Sequence, residues 1–271
     1  MSIFAISCND KEEENTTPAA VANAEKVEGT YEGYTLASCN YFSNNFTADE
    51  SLTITKTADN TVDVSFTSGT WGTTTITSAT VTTNGSGYSV TGEGECSMRG
   101  NSYPCTLTAD VASTSNATLT FSVPAVMGGT TIVFKTGKAS TGYYVAGSYR
   151  GDIDVSVSGT SYITIADTVM TLKAEEGDKA SIVTPLMEMS MGPSTYSVPA
   201  TTFENISVTT SDYENFTIGE SPVTFTVGSS SWTGTVSGTM TSAGALTLAF
   251  SVTPGAMPMP ITITFTHTPS K

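Results

Sequence analysis

Positive charge is scarce in this sequence. Ten Lys and Arg stand among 271 residues, against 25 Asp and Glu, and there is a single histidine. The net charge is −15 and the basic residues are scattered. No basic cluster exists to neutralise phosphates, which excludes a nucleic-acid surface. The same deficit opposes attraction to anionic lipid headgroups. Long apolar runs are missing too: nothing approaches the roughly 18 consecutive apolar residues of a membrane-spanning helix. No window holds helical periodicity for more than two turns. Only 13% of the residues are charged, and Thr and Ser dominate the polar positions. β-branched residues fit a pleated, half-buried surface, so this composition favours strands.

What is present is present twice. Gly29-Thr30-Tyr31-Glu32-Gly33 returns as Gly147-Ser148-Tyr149-Arg150-Gly151, and Leu119-Thr120-Phe121-Ser122-Val123 returns as Leu248-Ala249-Phe250-Ser251-Val252. Each pair opens or nearly closes a block, so the chain is a tandem of two related domains. The expected division is a signal remnant and acidic tether at 1–26, a first domain at 27–138, a linker at 139–144 and a second domain at 145–271. So short a linker leads us to expect that the domains touch, with Tyr143-Tyr144 either at that contact or in a solvated linker.

Within the first block Leu52, Ile54 and then Val62, Val64, Phe66 take every second position, with Asp59-Asn60 between the runs. That is a hairpin signal. Further strands are expected near residues 73–83, 88–98, 103–111, 117–123 and 130–135, separated by turns at Asn84-Gly85, Gly100-Asn101, Ser115-Asn116 and Gly128-Gly129. With the opening strand near Tyr31 the count is about eight. Eight consecutive antiparallel strands predict an all-β, up-and-down barrel, with a sandwich as the alternative. Closure also removes the edge strands that a Thr/Val-rich chain must protect. The second block repeats the order with extra residues.

The segments Val145-Ala146-Gly147-Ser148-Tyr149-Arg150-Gly151, 246–250, Pro254-Gly255-Ala256-Met257-Pro258 and 261–265 resemble the calycin-like (lipocalin-like) β-barrel domains of Bacteroidetes lipoproteins. The likeness is closest over 145–267 and looser over 27–136. It implies two tandem eight-stranded calycin-like barrels on a lipid anchor, without an assigned activity. Lipocalins carry Gly-x-Trp on the first strand. Tyr31 and Tyr149 stand at that place, so the lipocalin carrier role does not transfer.

Ser7-Cys8, followed by Asn9-Asp10-Lys11-Glu12-Glu13-Glu14, resembles the acylated cysteine and acidic stretch of surface-exported lipoproteins. Cys8 is therefore the expected lipidation site, with a fuller leader upstream and the outer membrane as the implied location. Acyl chains contribute about 0.8 kcal/mol per buried CH₂ and would anchor the chain without spanning the membrane. Asp167-Thr168-Val169 resembles a short O-glycosylation signal of the same bacteria.

Three cysteines remain. A turn at Gly100-Asn101 would set Cys96 opposite Cys105 at a non-hydrogen-bonded pair, so a cross-hairpin disulfide is expected there. Pro104 would then take a hydrogen-bonded position, which an edge or bulge tolerates. Cys39–Cys96 and Cys39–Cys105 are the competing pairings. No metal site or cofactor is expected, since three cysteines and a distant His267 lack zinc-finger spacing.

No catalytic residue is singled out. His267 reads as a surface residue of the last strand, and nothing suggests a base held by an orienting carboxylate. Asp152 and Asp154 share a strand face, as an exposed polar face also would. The candidate ligand-binding residues are Met170, Met187, Met189, Met191, Met257 and Met259, because methionine adapts to varied apolar shapes and could line a cavity in the second barrel; an ordinary barrel core, a lid or a contact between the repeats are the other readings. Trp232 reads as core, while Trp71, in a Gly-flanked loop, suits either core or an exposed stacking platform. The expected protein is a non-enzymatic binding module for a small apolar or amphipathic ligand. The alternative is an interaction protein with filled barrels that meets a glycan or protein partner through loops or outer faces.

Overall fold

The computed structural model describes residues 23–191, 194–255 and 259–269. Cys8, the acidic run after it and Met257 lie outside the described residues, as do the side chains of Met189 and Met191.

The alternating runs form β1 (Gly29–Ser38), β2 (Asn45–Ala58), β3 (Thr61–Ser68), β4 (Gly72–Asn84), β5 (Gly87–Met98), β6 (Asn101–Ser113), β7 (Asn116–Val123) and β8 (Thr130–Thr136). Each strand pairs antiparallel with the next, and β8 returns to β1, closing a barrel. The second half closes the same way through β9 (Gly147–Val157), β10 (Thr160–Glu175), β11 (Lys179–Thr184), then β14 (Thr201–Thr210), β15 (Asn215–Val227), β16 (Ser230–Thr241), β17 (Leu246–Pro254) and β18 (Ile261–His267). Its extra residues form a separate hairpin, β12 (Met187–Met191) with β13 (Ser194–Val198), inserted between β11 and β14. The chain divides between Gly137 and Lys138.

Two short helices precede the barrels. α1 (Asn23–Val27) occupies the end of the expected tether, and α2 (Thr141–Val145) replaces most of the expected linker. Ala24 and Val27 are wholly buried in the first core, and Val145 in the second. The repeated Gly-x-Tyr-x-Gly explains how each helix is held. Tyr31 Oη donates to the Val27 carbonyl at 2.5 Å, and Tyr149 Oη to the Val145 carbonyl at 2.8 Å. A Cβ on Gly33 would lie 2.0 Å from the Lys135 carbonyl oxygen, and one on Gly151 2.2 Å from that of Thr266. Only a bare backbone lets the first strand come this close to the last. Tyr144 packs within the second unit, its ring 5.1 Å from Tyr213 and 5.6 Å from Phe216.

Eight strands leave an interior that side chains can fill. Phe66 stacks on Phe121 at 5.6 Å and meets Phe134 at 6.1 Å in the first barrel. Phe203 meets Phe225 and Phe250 at 6.1 and 5.8 Å in the second, with Trp232 buried beside Phe225.

The expected disulfide is not formed: Cys39, Cys96 and Cys105 are free thiols. The β5–β6 turn is Arg99-Gly100, both at positive φ, one residue earlier than expected. That shift pairs Cys96 with Tyr103 and Cys105 with Gly94. Both sulfurs still point inward, but they sit diagonally rather than face to face. The same shift relieves Pro104. Counting from the turn, its pair with Glu95 is a non-hydrogen-bonded one, and its other edge faces β7 only beyond the Thr106–Ser122 pair where that ladder ends.

Candidate functional site

The β1–β2, β3–β4, β5–β6 and β7–β8 connections gather at the barrel end opposite α1. They enclose a pocket of about 710 Å³, bordered by Phe42 and Asn45, by Gly69-Thr70-Trp71-Gly72, by Met98, Arg99, Asn101 and Tyr103, and by Ala125-Val126-Met127. That volume lies within the range of small-molecule sites, about 300–1,000 Å³. The filled interior of the first barrel is its floor.

The Trp71 loop is fixed from below. Ser68 Oγ donates to the buried carboxylate of Glu50 at 2.7 Å and accepts the Thr70 and Trp71 amides at 3.1 Å each. Burial pushes the Glu50 carboxyl above its ordinary value, and the Ser68 bond offsets this in part. Gly72, at φ +76°, sits so close to β5 that a Cβ would meet the Ser97 carbonyl oxygen at 2.0 Å. The Cys96 thiol lies against the Trp71 carbonyl at 3.8 Å and accepts from Thr74 Oγ1 at 3.2 Å. Burial raises both inward thiols, Cys105 to about 11. They are therefore neutral packing groups, not nucleophiles.

Trp71 itself is 6% exposed and leans on Phe42 at 5.9 Å. Its Nε1 is buried with no hydrogen-bond partner. Among the described residues Arg99 is the only charged one on the pocket wall, and no Asp or Glu borders it.

The methionines singled out in the sequence do not converge on this pocket. Met170 is wholly buried opposite Tyr149 in the β9–β10 ladder, toward the α2 end of the second barrel. It is a core side chain. Met187 is buried where β12 begins, past the opposite end of β11, and Met259 is exposed on the β17–β18 connection. Tyr162, Leu186 and Met259 are exposed at that end of the second barrel. The residues that sequence reasoning missed are Phe42, Arg99, Tyr103 and Met127. For Phe42 and Met127 the signal was a large apolar residue placed in a connection, where solvated polar ones are usual; Arg99 and Tyr103 carried none.

The remaining candidates have structural partners. His267 Nδ1 lies 2.6 Å from the Arg150 carbonyl, and its ring packs on Tyr149. Asp152 accepts the Asp167 amide, Asp154 accepts Ser161 Oγ, and Arg150 pairs with Asp167 at 2.8 Å. Thr168, the central residue of the expected glycosylation signal, is 8% exposed. Among the described residues no three His, Cys, Asp or Glu gather as a metal site.

Both halves match one family, the calycin-like beta-barrel domain, over residues 27–137 and 145–268. The chain belongs to the calycin-like beta-barrel family. The crystal structure of a Bacteroides fragilis protein, provisionally assigned to the outer membrane, superposes with a TM-score of 0.74 at 28% identity. The match covers 91% of this chain and 99% of that one, so it extends over both halves. A Nostoc punctiforme protein of unknown function aligns at 9% identity and a TM-score of 0.25, over 91% of this chain and 98% of that one. No curated protein matches.

Proposed function

We propose that this calycin-like protein is a non-enzymatic binding module of the bacterial outer membrane, held there by a lipid on Cys8. It takes a small ligand at the mouth of its first barrel, above a filled interior. The observation that carries this reading is the pocket walled by four loops, with Phe42, Trp71, Val126 and Met127 around one guanidinium. The Bacteroides fragilis relative supports the location. The location in turn supports capture from outside the cell.

Native mass spectrometry of the protein drawn gently from its host, followed by organic extraction, tests both parts. The expected result is acyl mass on Cys8 and a stoichiometric small molecule that Ala125→Trp, which fills the pocket mouth, releases. A bare mass in both proteins would favour the second reading, an interaction module. That reading has its own support in the apolar Tyr162, Leu186 and Met259 exposed at the second barrel's mouth.

A further inference from the structure

We infer that the ligand of the first-barrel pocket is an amphipathic organic anion, with an apolar body on Phe42 and Met127 and an acidic head at Arg99. The inference rests on the pocket reading above and adds the ligand's charge.

The chain carries 25 acidic residues against ten basic ones, yet among the described residues no Asp or Glu borders this pocket. Among the described residues, ion pairs join Lys56 to Glu25 and Asp59, and Arg150 to Asp167. None of them engages Arg99, which tips the β5–β6 turn with its side chain in solvent at the pocket rim. A guanidinium presents a planar fork that matches a carboxylate or sulfonate. Beside it Asn45 and Asn101 offer further donors.

The second element is the Trp71 indole. A buried N–H without an acceptor keeps a desolvation penalty that a satisfied one does not. Indole nitrogen can only donate, so what it lacks is an acceptor. Trp71 borders the pocket, and an anionic oxygen within reach of its unpartnered Nε1 would supply that acceptor. A cationic head would find neither an acidic partner nor a use for the N–H, although the chain as a whole attracts cations.

Three ligands with one tail and different heads decide the matter: decanoate, decanol and decylammonium. Each is titrated into the full chain at neutral pH and low salt by calorimetry and tryptophan fluorescence. Decanoate is expected to bind roughly fivefold tighter than decanol, the advantage of one exposed ion pair, with decylammonium weakest. The advantage should shrink as salt screens the rim. Arg99→Gln should bring decanoate to the level of decanol, and Arg99→Lys should keep part of the preference. Circular dichroism confirms that both variants fold.

Equal binding of decanoate and decanol to the wild type, or an undiminished preference in Arg99→Gln, overturns the anion inference but leaves the pocket standing. No binding by any of the three, with Ala125→Trp indistinguishable from wild type, overturns the anion inference and counts against the pocket as well.

Discussion

Tyr31 and Tyr149 hold the same post in the two barrels, each fastening the last carbonyl of a five-residue helix to the start of the first strand. Burial pushes both phenols up to about 12. In the unfolded chain they titrate near 10. A group raised on folding keeps its full contribution below the unfolded value and loses it as pH climbs through the folded one. Stability should therefore hold up to about pH 10 and fall between about 10 and 12. Tyr149→Phe should lower stability at neutral pH by about 1 kcal/mol, the net worth of one hydrogen bond, and flatten the alkaline loss. Melting temperature across the alkaline range, followed with phenolate absorbance, checks this. Wild type and Tyr149→Phe with parallel alkaline slopes would refute it.

At the scale of the element, the first strand of each barrel bends to meet both its neighbours. β1 shifts register against β2 between Gly33 and Thr35 while pairing with β8 from Gly33 onward. Gly33→Ala and Gly151→Ala each thrust a methyl into a backbone carbonyl, which no side-chain rotation relieves. The expected cost is about 1–3 kcal/mol, in the range of overpacked cores. Glycines at open turns such as Gly85 and Gly159, where nothing lies within 4 Å, provide the comparison, their strain coming from φ alone. Chemical denaturation of the four variants should show the strand glycines losing midpoint without the steric relief a surface site has. The strands themselves were legible in the sequence because alternation with period two and turn residues are both local features of one chain. The helices were not. Five residues such as Asn23-Ala24-Glu25-Lys26-Val27 carry too little periodicity to stand out, and their stability comes from burial against strands distant in sequence. The inward facing of Cys96 and Cys105 could be read, since moving a turn by one residue moves each partner by two and keeps the face. Their pairing could not, because it depends on whether Arg99 accepts a positive φ. The pocket was hidden for a related reason: its walls come from four connections far apart in sequence, while the methionine alternation lies in a hairpin outside either barrel.

At the scale of the whole molecule, each half has its own closed barrel and its own buried core, from Ala24 to Phe134 in one and from Val145 to Phe265 in the other. A unit with a complete core is expected to fold alone. The cut matters, because each core includes a helix that lies before its first strand. Val27 and Val145 are wholly buried, and a buried Val is worth about 1.5–3 kcal/mol relative to an exposed one. Thr141 adds polar anchors, its amide to Asp178 at 2.8 Å and its hydroxyl to the Val208 carbonyl at 2.6 Å. The fragments 23–137 and 138–271 should each melt in one cooperative step with a β-type circular dichroism spectrum. Fragments 29–137 and 147–271, which keep every barrel strand but lose the helices, should melt lower or fail to fold. Two outcomes would contradict this: the longer fragments unfolded in isolation, or the shorter ones equal to them in stability. The first would mean that a closed ladder does not suffice without the other half. The second would mean that the tyrosine-held helices only cover the barrel ends, and that the repeated Gly-x-Tyr-x-Gly owes its place to strand closure alone.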